Sequence, residues 1–331
     1  PTLTQLPGAG SAAIGAVPNG TTISNNGTSW TCNQTFTDQR GESRPIVSGD
    51  DCTAGAVEVV PPFVCVLPAT VTTADELYSC ITEANTNGAG LDTITLGADI
   101  TLTLADMDNS DLIDGAYAGL PTIQSEITIN AGAGTVLERD GALGCVADDP
   151  EAFRILNVGS NGSLTLDGLT IQNGCSSSDA GAIALDGGSL TVLNSIFNNN
   201  IAWDSGNVAY GGAIRQSGAL SSLIINNSGF INNYVQGNRA LGGAIYIFSG
   251  TTTIDGSLFD SNKATGNSSD AGIGHAGLGG AIATGGGSSV NTVLTNNTFS
   301  NNVAQGGNGA TNGGSSTAGA LFISAGMMSN N

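Results

Sequence analysis

Acidic side chains supply most of the chemistry available to this 331-residue chain. Their densest run places oxygen ligands at Asp106, Asp108, Ser110, Asp111 and Asp114. Oxygen ligands at alternate positions suit a calcium ion, but the run lacks the bidentate glutamate that closes a calcium-binding loop at its last position. Two interpretations follow. One is a structural calcium site, which would be the chain's sole cofactor, and the other, which we favour, is a solvated acidic loop.

Groups for acid–base catalysis are sparse and scattered. Asp50-Asp51 and Asp148-Asp149 are adjacent pairs, and adjacent side chains on a strand face opposite sides, so neither pair fits one shared site. His275, the single histidine, lies in a glycine-rich segment, which favours a solvated residue over a general base. The bases of the repeat region fall in different repeats: Arg215, Arg239 and Lys263. We therefore predict no catalytic or cofactor-binding residues, and a protein that is not an enzyme.

Charge and composition exclude several classes of partner. The 27 acidic residues against 7 basic ones give a formal net charge of -20. Nucleic acids and anionic membranes need clustered Lys and Arg, so neither is expected to bind. The chain has no apolar stretch of about 18 residues, which argues against membrane insertion. Disorder is also disfavoured, because 40% of the residues are hydrophobic.

The cysteines indicate the compartment. The chain has six cysteines, and their spacing favours pairing in sequence order: Cys32–Cys52, Cys65–Cys80 and Cys145–Cys175. Other connectivities and buried free thiols remain open alternatives. Zinc binding is disfavoured, because the chain has no Cys-x-x-Cys and a single histidine. Disulfides would place the protein outside the cytoplasm.

Two sequence elements repeat from residue 162 onward. The first is Gly-Ala-Ile, at 181–183, 212–214, 243–245 and 280–282, with Gly-Ala-Leu at 319–321. The second centres on an aromatic column: Phe197, Phe230, Phe259 and Phe299. Asparagines recur three residues later: Asn200, Asn233, Asn262 and Asn302. Asn or Gly recurs three residues before each centre, which predicts a bend at positive φ: Gly168 (before Ile171), Asn194, Asn227, Gly256 and Asn296.

This periodicity predicts a parallel β-helix over residues 87–331. Coils of about 30 residues, each with three short strands, would stack the phenylalanines inside and join the asparagines in a hydrogen-bonded ladder. The longer excursions, 264–278 and 304–318, would leave one face as glycine-rich loops. A helical solenoid is disfavoured because Gly, Asn and Thr are poor helix formers. A propeller would need antiparallel hairpins.

The region before the repeats provides a lid and a connection. Thr73-Ala74-Asp75-Glu76 is a capping box that predicts a short amphipathic helix over 73–86. Such a helix would cover the open end of the first coil. Residues 59–72 contain prolines and are expected to form an extended linker after a separate segment, 1–58.

Motifs in the second part of the chain resemble those of a known group of proteins. ELYSCITEAN at 76–85, followed by DTITL at 92–96, is similar to the Ser-Leu-Arg-Glu-Ala-Ile opening motif of bacterial right-handed β-helix surface proteins, although it lacks the motif's arginine. The repeats resemble those of polymorphic outer-membrane proteins within the pectin-lyase-like superfamily. The resemblance covers about residues 73–331 and implies an all-β, right-handed fold.

Residues 1–58 resemble the closing "choice-of-anchor" segment of the same proteins, through PTLT at 1–4, DQRG at 38–41 and CTAGAVE at 52–58. In that family the segment follows the β-helix and finishes it, whereas here it comes first, so the order is circularly permuted. This order suggests head-to-tail assembly, in which residues 1–58 of one copy complete the last coil of the next. The alternatives are a fragment of a tandem-repeat adhesin, or a segment that folds back on its own helix.

These observations favour an extracellular or cell-surface structural protein whose partners are copies of itself. The alternative is an adhesin that binds surface glycans through the loops at 264–278 and 304–318. A polysaccharide lyase or hydrolase is less favoured, because such enzymes use grouped carboxylates, often with an Arg or Lys base, and an acidic protein repels uronates.

Overall fold

The computed structural model describes residues 16–25, 28–33, 36–37, 43–44, 52, 63–88, 90–103, 106–110, 116–149, 151–270, 272–285, 290–324 and 327–330. The chain divides into two compact units, residues 1–64 and 65–331. The described part of the first unit is β-rich: antiparallel pairs join Thr22–Asn25 to Thr28–Thr31, and Phe36–Thr37 to Ser43–Arg44. The Cys32–Cys52 disulfide closes this unit, and a β-bridge pairs Val17 with Cys52.

A single α-helix, Ala74–Thr86, opens the second unit among the described residues. The capping box is present: Thr73 Oγ1 accepts from Glu76 N at 3.3 Å, and Glu76 Oε2 accepts from Thr73 N at 3.2 Å. The apolar face of the helix, including Leu77 and Ile81, is fully buried in the same core as the first strands. The helix therefore covers the beginning of the β-helix.

The structure differs from the predicted linker over its second half, 65–72. Strand Ala69–Val71 pairs in parallel with Asp92–Leu96, and the Cys65–Cys80 disulfide joins this segment to the helix. The extended-linker prediction is wrong for residues 69–71, because their backbone is hydrogen-bonded into the sheet. The compact units meet at residue 64, inside the predicted linker.

The second unit is an all-β parallel solenoid, as predicted, and its right-handed sense stays a prediction. Its long sheet contains 14 described strands. They are Ala69–Val71, Asp92–Leu96, Ile100–Leu102, Glu126–Arg139, Ser163–Gln172, Ser189–Leu193, Ile196–Asn198, Ser222–Asn226, Gly229–Ile231, Gly250–Asp255, Leu258–Asp260, Val290–Thr295, Thr298–Ser300 and Met327–Asn330. Neighbouring coils pair in parallel and in register, so equivalent residues stack in columns.

A second sheet, the Gly-Ala-Ile sheet, carries the other repeated element. Its described strands are Leu156–Val158, Ile183–Asp186, Ile214–Ser217, Ile245–Ile247, Ile282–Thr284 and Leu321–Ile323. The main hydrophobic core lies between this sheet and the long sheet, with Ile214 facing aliphatic residues such as Leu223 and the aromatic column. Both repeated elements therefore point into one continuous core.

From Cys175 onward the coils contain additional strands, which form two further sheets beside the main core; we call these two sheets the lobe. The prediction of three strands in each coil missed them. One coil has five strands: Ile183–Asp186, Ser189–Leu193, Ile196–Asn198, Ile201–Trp203 and Val208–Tyr210. Across the coils the first lobe sheet contains Cys175–Ser176, Ile201–Trp203, Tyr234–Gly237, Lys263–Gly266 and Val303–Gln305. The second lobe sheet contains Val208–Tyr210, Arg239–Leu241, Ala276–Leu278 and Ser316–Thr317.

Small residues allow the two lobe sheets to pack closely. A core of alanines and one valine lies between them: Ala202, Ala209, Val235, Ala240 and Ala264. The glycine-rich excursions 264–278 and 304–318 belong to this lobe and are not simple loops, because parallel bridges join Ser269 to Gly309 and Ile273 to Asn312. The two excursions therefore pair with each other.

Short elements precede the regular coils. A mixed sheet contains Asp106–Ser110, Tyr117–Ala118 and Phe153–Arg154, with an antiparallel pair between the first two strands. A 3-10 turn spans Gly141–Leu143. The Cys145–Cys175 disulfide joins this region to the first lobe strand. The disulfides thus follow the sequence order that the spacing favoured.

The asparagine ladder is buried and saturated with hydrogen bonds. In Asn233, Oδ1 accepts from Asn200 N at 3.1 Å and from Asn200 Nδ2 at 3.0 Å. Its Nδ2 donates to Phe197 O at 3.0 Å and to Asn262 Oδ1 at 2.9 Å. Asn262 repeats the pattern with Asn302, at 2.9 Å from Nδ2 to Oδ1. The two inner amides, Asn233 and Asn262, use both donor hydrogens and both acceptor positions, so their burial is compensated.

The phenylalanines stack beside this ladder. Ring centroids are 4.9 Å apart for Phe197–Phe230, 5.0 Å for Phe230–Phe259 and 5.0 Å for Phe259–Phe299. The planes are within 5°, 8° and 12° of parallel. These distances are close to the spacing between neighbouring strands of a sheet, about 4.8 Å, so the coil repeat fixes the ring separation. The four phenylalanines therefore form one stacked column, as their repeated spacing predicted.

The bend before each aromatic residue has the predicted conformation. Positive φ values occur at Gly168 (79°), Asn194 (49°), Asn227 (48°), Gly256 (60°) and Asn296 (53°). Next to the bend runs a serine ladder that the repeat analysis missed, in which Ser195 N donates to Ser228 Oγ at 3.2 Å. Outside the bend, hydrogen bonds from Thr295 and Asn296 lower the pKa of Asp255.

The glycine of each Gly-Ala-Ile element is needed for close packing between chain segments. A Cβ at Gly243 would lie 1.9 Å from Gly280 O and 2.5 Å from Lys263 N. The residue before it takes the positive φ instead, as at Gly242, where φ is 70°. The pair therefore divides two tasks: the first residue turns the chain, and the second lets the lobe approach the core.

The ladder predicts a large loss of stability when one amide is removed. Asn233→Ala leaves buried donors of Asn200 and an acceptor of Asn262 unpaired, at about 1–3 kcal/mol per group. We expect the free energy of unfolding to fall by about 3–5 kcal/mol. Chemical denaturation followed by circular dichroism measures it. Asn291→Ala, at an exposed strand position, is the control, and an equal loss there would contradict the role of the ladder.

The close approach at Gly243 gives a second prediction. Gly243→Ala forces backbone of neighbouring coils apart, and we expect a loss of about 3 kcal/mol or more of stability. Gly132→Ala adds a methyl group with no atom within 4 Å, so we expect a change of less than about 1 kcal/mol. Thermal melts of both variants test this, and a Gly243→Ala protein as stable as the parent would refute it.

Candidate functional site

The predicted calcium ligands lie largely outside the described part of the chain. The backbone of Asp106, Asp108 and Ser110 belongs to strand Asp106–Ser110, but the structure does not describe their side chains. Asp111 and Asp114 lie outside the described residues. Among the residues that are described, no group of three or more His, Cys, Asp or Glu side chains is placed to hold a metal ion. Structural calcium therefore stays a prediction.

The scattered acid–base candidates are held by separate structural contacts. Asp148 accepts from Ser205 N at 3.2 Å, whereas Asp149 lies 3.9 Å from the Arg139 guanidinium. The His275 backbone links two excursions, since it donates to Asn267 O at 3.0 Å and accepts from Gly307 N at 2.9 Å.

Within the described ranges, no helix is long and apolar enough to cross a membrane.

What we call the open edge consists of four strands near the end of the described chain, Thr298–Ser300, Val303–Gln305, Ser316–Thr317 and Leu321–Ile323; strand Met327–Asn330 follows them and pairs with Val290–Thr295. In the described part of the chain each of the four strands of the open edge pairs with one neighbour, in the preceding coil. Core columns also become exposed here. Phe259 is fully buried while Phe299 is half-buried, and Leu321 is half-buried while Ile282 is 2% exposed. Among the described residues, these strands therefore have a hydrogen-bonded neighbour on one side only, and half-buried apolar side chains lie beside them.

The open edge carries no charge. Residues 303–324 contain no Asp, Glu, Lys, Arg or His, in a chain whose net charge is -20. Exposed apolar side chains, Val303 at 44% and Ile323 at 42%, stand on these strands. Solvent-exposed sheet edges are usually protected by lysines, prolines or inward-pointing charges, because otherwise they pair with other strands. None of these protective residues occurs in the segment, so the edge is suited to strand addition.

The two ends of the β-helix differ in this respect. The first strands are covered by helix Ala74–Thr86, whose Asn85 side chain bonds the backbone of the early coils. Asn85 Nδ2 donates to Thr122 O at 2.8 Å, and Oδ1 accepts from Gln124 N at 2.8 Å. Asn85 is the asparagine that the opening motif retains, and these bonds explain its place there. The helix therefore covers the first strands, whereas the last described strands have one paired side.

A second feature is a groove of about 570 Å³, the lateral groove, where the second lobe sheet meets the Gly-Ala-Ile sheet. Its lining comes from successive coils: Ser177, Ser178, Asp179, Asp204, Asn207, Val208, Tyr210, Arg215, Tyr246 and Phe248. Arg215 is the buried cation of this region. Its Nε lies 3.2 Å from Asp179 Oδ2, and its Nη1 lies 3.5 Å from Asp186 Oδ1.

Two tyrosines lie beside this ion pair. The ring centroids of Tyr210 and Tyr246 are 4.4 Å apart, with the planes tilted by 32°. Burial, together with the charge of Asp179, raises the pKa of Tyr210, and burial raises the pKa of Tyr246 well above its usual range. Both phenols therefore stay protonated at neutral pH and can donate hydrogen bonds.

Sequence reasoning missed this cluster because it treated Arg215, Arg239 and Lys263 as isolated bases of separate coils. Stacking in register is the signal that would have found it. The residue after each Gly-Ala-Ile element falls in one column, which places Arg215 beside Tyr246. The same stacking pairs Asp179 with Tyr210.

Comparison of the chain with protein-family models, with curated proteins and with solved structures finds no match in any of the three. The resemblance to bacterial β-helix surface proteins therefore stays a prediction from the motifs, and the functional argument depends on the geometry of the two sites.

The buried ion pair predicts a contrast between two arginines. Arg215→Ala leaves Asp179 and Asp186 close together without their shared cation, and we expect a loss of about 3–5 kcal/mol in the free energy of unfolding. Arg239→Ala removes an exposed cation and should cost less than about 0.5 kcal/mol. Denaturant titrations measure both variants. Similar stabilities for the two proteins would contradict the structural role of Arg215.

Proposed function

We propose that this chain is an extracellular structural protein, the subunit of a head-to-tail filament. Residues 1–58 of one copy would complete the last coil of the next. The observation that supports this most directly is the open edge, which combines strands paired on one side with a complete lack of charge.

Strand addition is the chemistry that such an edge favours. An incoming strand would bond the N–H and C=O groups on the side of Val303–Gln305 and Leu321–Ile323 that has no partner among the described residues, and would cover the half-buried Phe299 and Leu321. Backbone hydrogen bonds supply affinity in this mode of recognition, and side-chain pockets supply specificity. The donor would be β-rich, and the described part of residues 1–64 is built from short β pairs and a disulfide.

Such a contact joins two different surfaces of the same protein. Contacts of this kind do not close between two copies, so they propagate into rings or open filaments according to the rotation between subunits. The helix-covered first coil and the open last coil give the subunit a direction. A polar filament is therefore the expected product.

The proposed extracellular location is supported by features that suit a durable protein outside the cell. Disulfides between Cys32 and Cys52, Cys65 and Cys80, and Cys145 and Cys175 suit an oxidising compartment. The chain has only 7 Lys and Arg residues, so proteases that cut after basic residues find few sites. A mechanical role without catalysis agrees with the separate structural contacts of Asp148, Asp149 and His275.

The assembly interface predicts a specific assembly defect. Leu321→Lys puts a charge into a core column at the open edge, where it stays half-solvated in the single subunit but would be buried when a donor strand adds. We expect the parent chain to form fibres visible by electron microscopy and Leu321→Lys to stay monomeric, with a cooperative thermal transition. Deletion of residues 1–58 should have the same effect.

The matched control is Ile224→Lys, at an outward strand position in the middle of the stack that is 37% exposed. This variant should form fibres like the parent. Two outcomes would overturn the proposal: monodisperse monomers from the parent chain, or fibres from a folded Leu321→Lys protein. The first would favour the tandem-adhesin alternative, in which further coils of the same chain cover the edge.

A further inference from the structure

A step between two coils creates the lateral groove. In the earlier coil the lobe is short, since strand Cys175–Ser176 is followed by a single bridge between Asp179 and Tyr210. The next coil reaches further out, through Ile201–Trp203 and Val208–Tyr210. The side chains of the longer coil therefore project past the shorter one and leave a concave surface of about 570 Å³, within the range of about 300–1,000 Å³ that is usual for small-molecule sites.

We propose that the lateral groove is a binding site for a neutral saccharide, in which the exposed Phe248 and Asn207 and the half-buried Tyr210 contact the ligand, and the buried Tyr246, Asp204 and Arg215 support them from behind. This site is separate from the open edge, because its lining lies between Ser177 and Phe248 whereas the strands of the edge begin at Thr298. It gives the protein a binding activity in addition to its proposed structural role.

The aromatic residues supply the apolar part of such a site. Phe248 is 46% exposed and Tyr210 is half-buried, so these two rings can reach a ligand; Tyr246, only 4% exposed, packs 4.4 Å from Tyr210 between ring centroids and holds that ring in place. Aromatic faces are flat, rigid surfaces that pack against the C–H groups of a sugar ring, and tyrosine adds a polar hydroxyl. Tyr246 also has firm support, because a Cβ at Gly285 would lie 1.9 Å from its hydroxyl oxygen.

The charges of the groove favour a neutral ligand. Arg215 is already neutralised by Asp179 and Asp186, at 3.2 and 3.5 Å. The Asp204 carboxylate accepts from Gly206 N at 2.8 Å and Asn207 N at 2.6 Å. Carboxylates that are satisfied in this way do not require a cation, yet their negative charge still repels an anion such as a uronate.

Polar groups at the groove match hydroxyl chemistry. Asn207 is exposed, and Ser177 and Ser178 are half-buried, so all three present donors or acceptors to a ligand. Sugar hydroxyls both donate and accept, and carboxylates and amides are suitable partners for them. A few placed polar groups among aromatic walls fix the orientation of a ligand, which is the usual composition of a specific pocket.

Titration calorimetry with defined probes tests the proposal. The neutral probes are cellohexaose, maltohexaose and chitohexaose, and the charged ones are trigalacturonate and choline. We expect at least one neutral probe to bind the full chain with a Kd of about 1 mM or tighter. Phe248→Ala and Asn207→Ala should each weaken that binding by roughly tenfold.

Tyr78→Ala is the matched control, because Tyr78 is 40% exposed on the capping helix, away from the groove. Its affinity should stay within about twofold of the parent. The proposal is overturned if no neutral probe binds, if trigalacturonate or choline binds more tightly than every neutral probe, or if both groove variants bind like the parent. Fibre formation by electron microscopy is scored separately, so failure of one proposal leaves the other standing.

Discussion

Burial of one amide per coil is the constraint on which the rest of the β-helix depends. An asparagine inside an apolar core is tolerated only if all of its hydrogen bonds are made, and here the partners of Asn233 belong to the coils before and after its own. The ladder therefore admits one register, since a shift of a single residue would leave several buried groups unpaired. The parallel phenylalanine rings and the positive-φ bends follow from the same register, because every coil repeats the geometry of the one before it.

The sequence was sufficient for the columns and insufficient for the lobe. Columns such as Phe197–Phe230–Phe259 repeat residue type at nearly constant position, so one sequence contains its own alignment. The serine ladder escaped notice only because Ser195 and Ser228 lie among many other serines. The lobe differs in kind. Its excursions change length from coil to coil, and its sheets are held by alanines such as Ala209 and Ala240, whose pattern does not distinguish a packed layer from a flexible loop. The linker was misjudged for a related reason, since the pairing of Ala69–Val71 is with a strand more than twenty residues away.

The two candidate sites differ in the same way: one could be predicted in part from the sequence, and the other could not. The strands of the open edge were predictable in outline, because the last copies of the repeated elements, Phe299 and Gly-Ala-Leu at 319–321, can be read from the sequence. Its lack of charge is visible in residues 303–324 of the sequence. The lateral groove was not foreseeable from composition, since it arises from a difference in lobe length between neighbouring coils and from columns that bring Arg215 beside Tyr246 and Asp179 beside Tyr210. Its chemistry depends on which residues the coil repeat superimposes, rather than on any motif.

The placement of the disulfides has a mechanical consequence for such a molecule. Cys65–Cys80 fastens the helix to the start of the stack, and Cys145–Cys175 ties two neighbouring coils together. Beyond residue 175 the sequence contains no cysteine, and the coils there are held by non-covalent contacts: strand pairing, the side-chain ladders and the hydrophobic core. A pulling force along the axis would act on the hydrogen bonds between coils. The coils after residue 175, which no disulfide joins, would separate first. The coils joined by the two disulfides would separate last, so the molecule would extend coil by coil before any covalent bond was loaded.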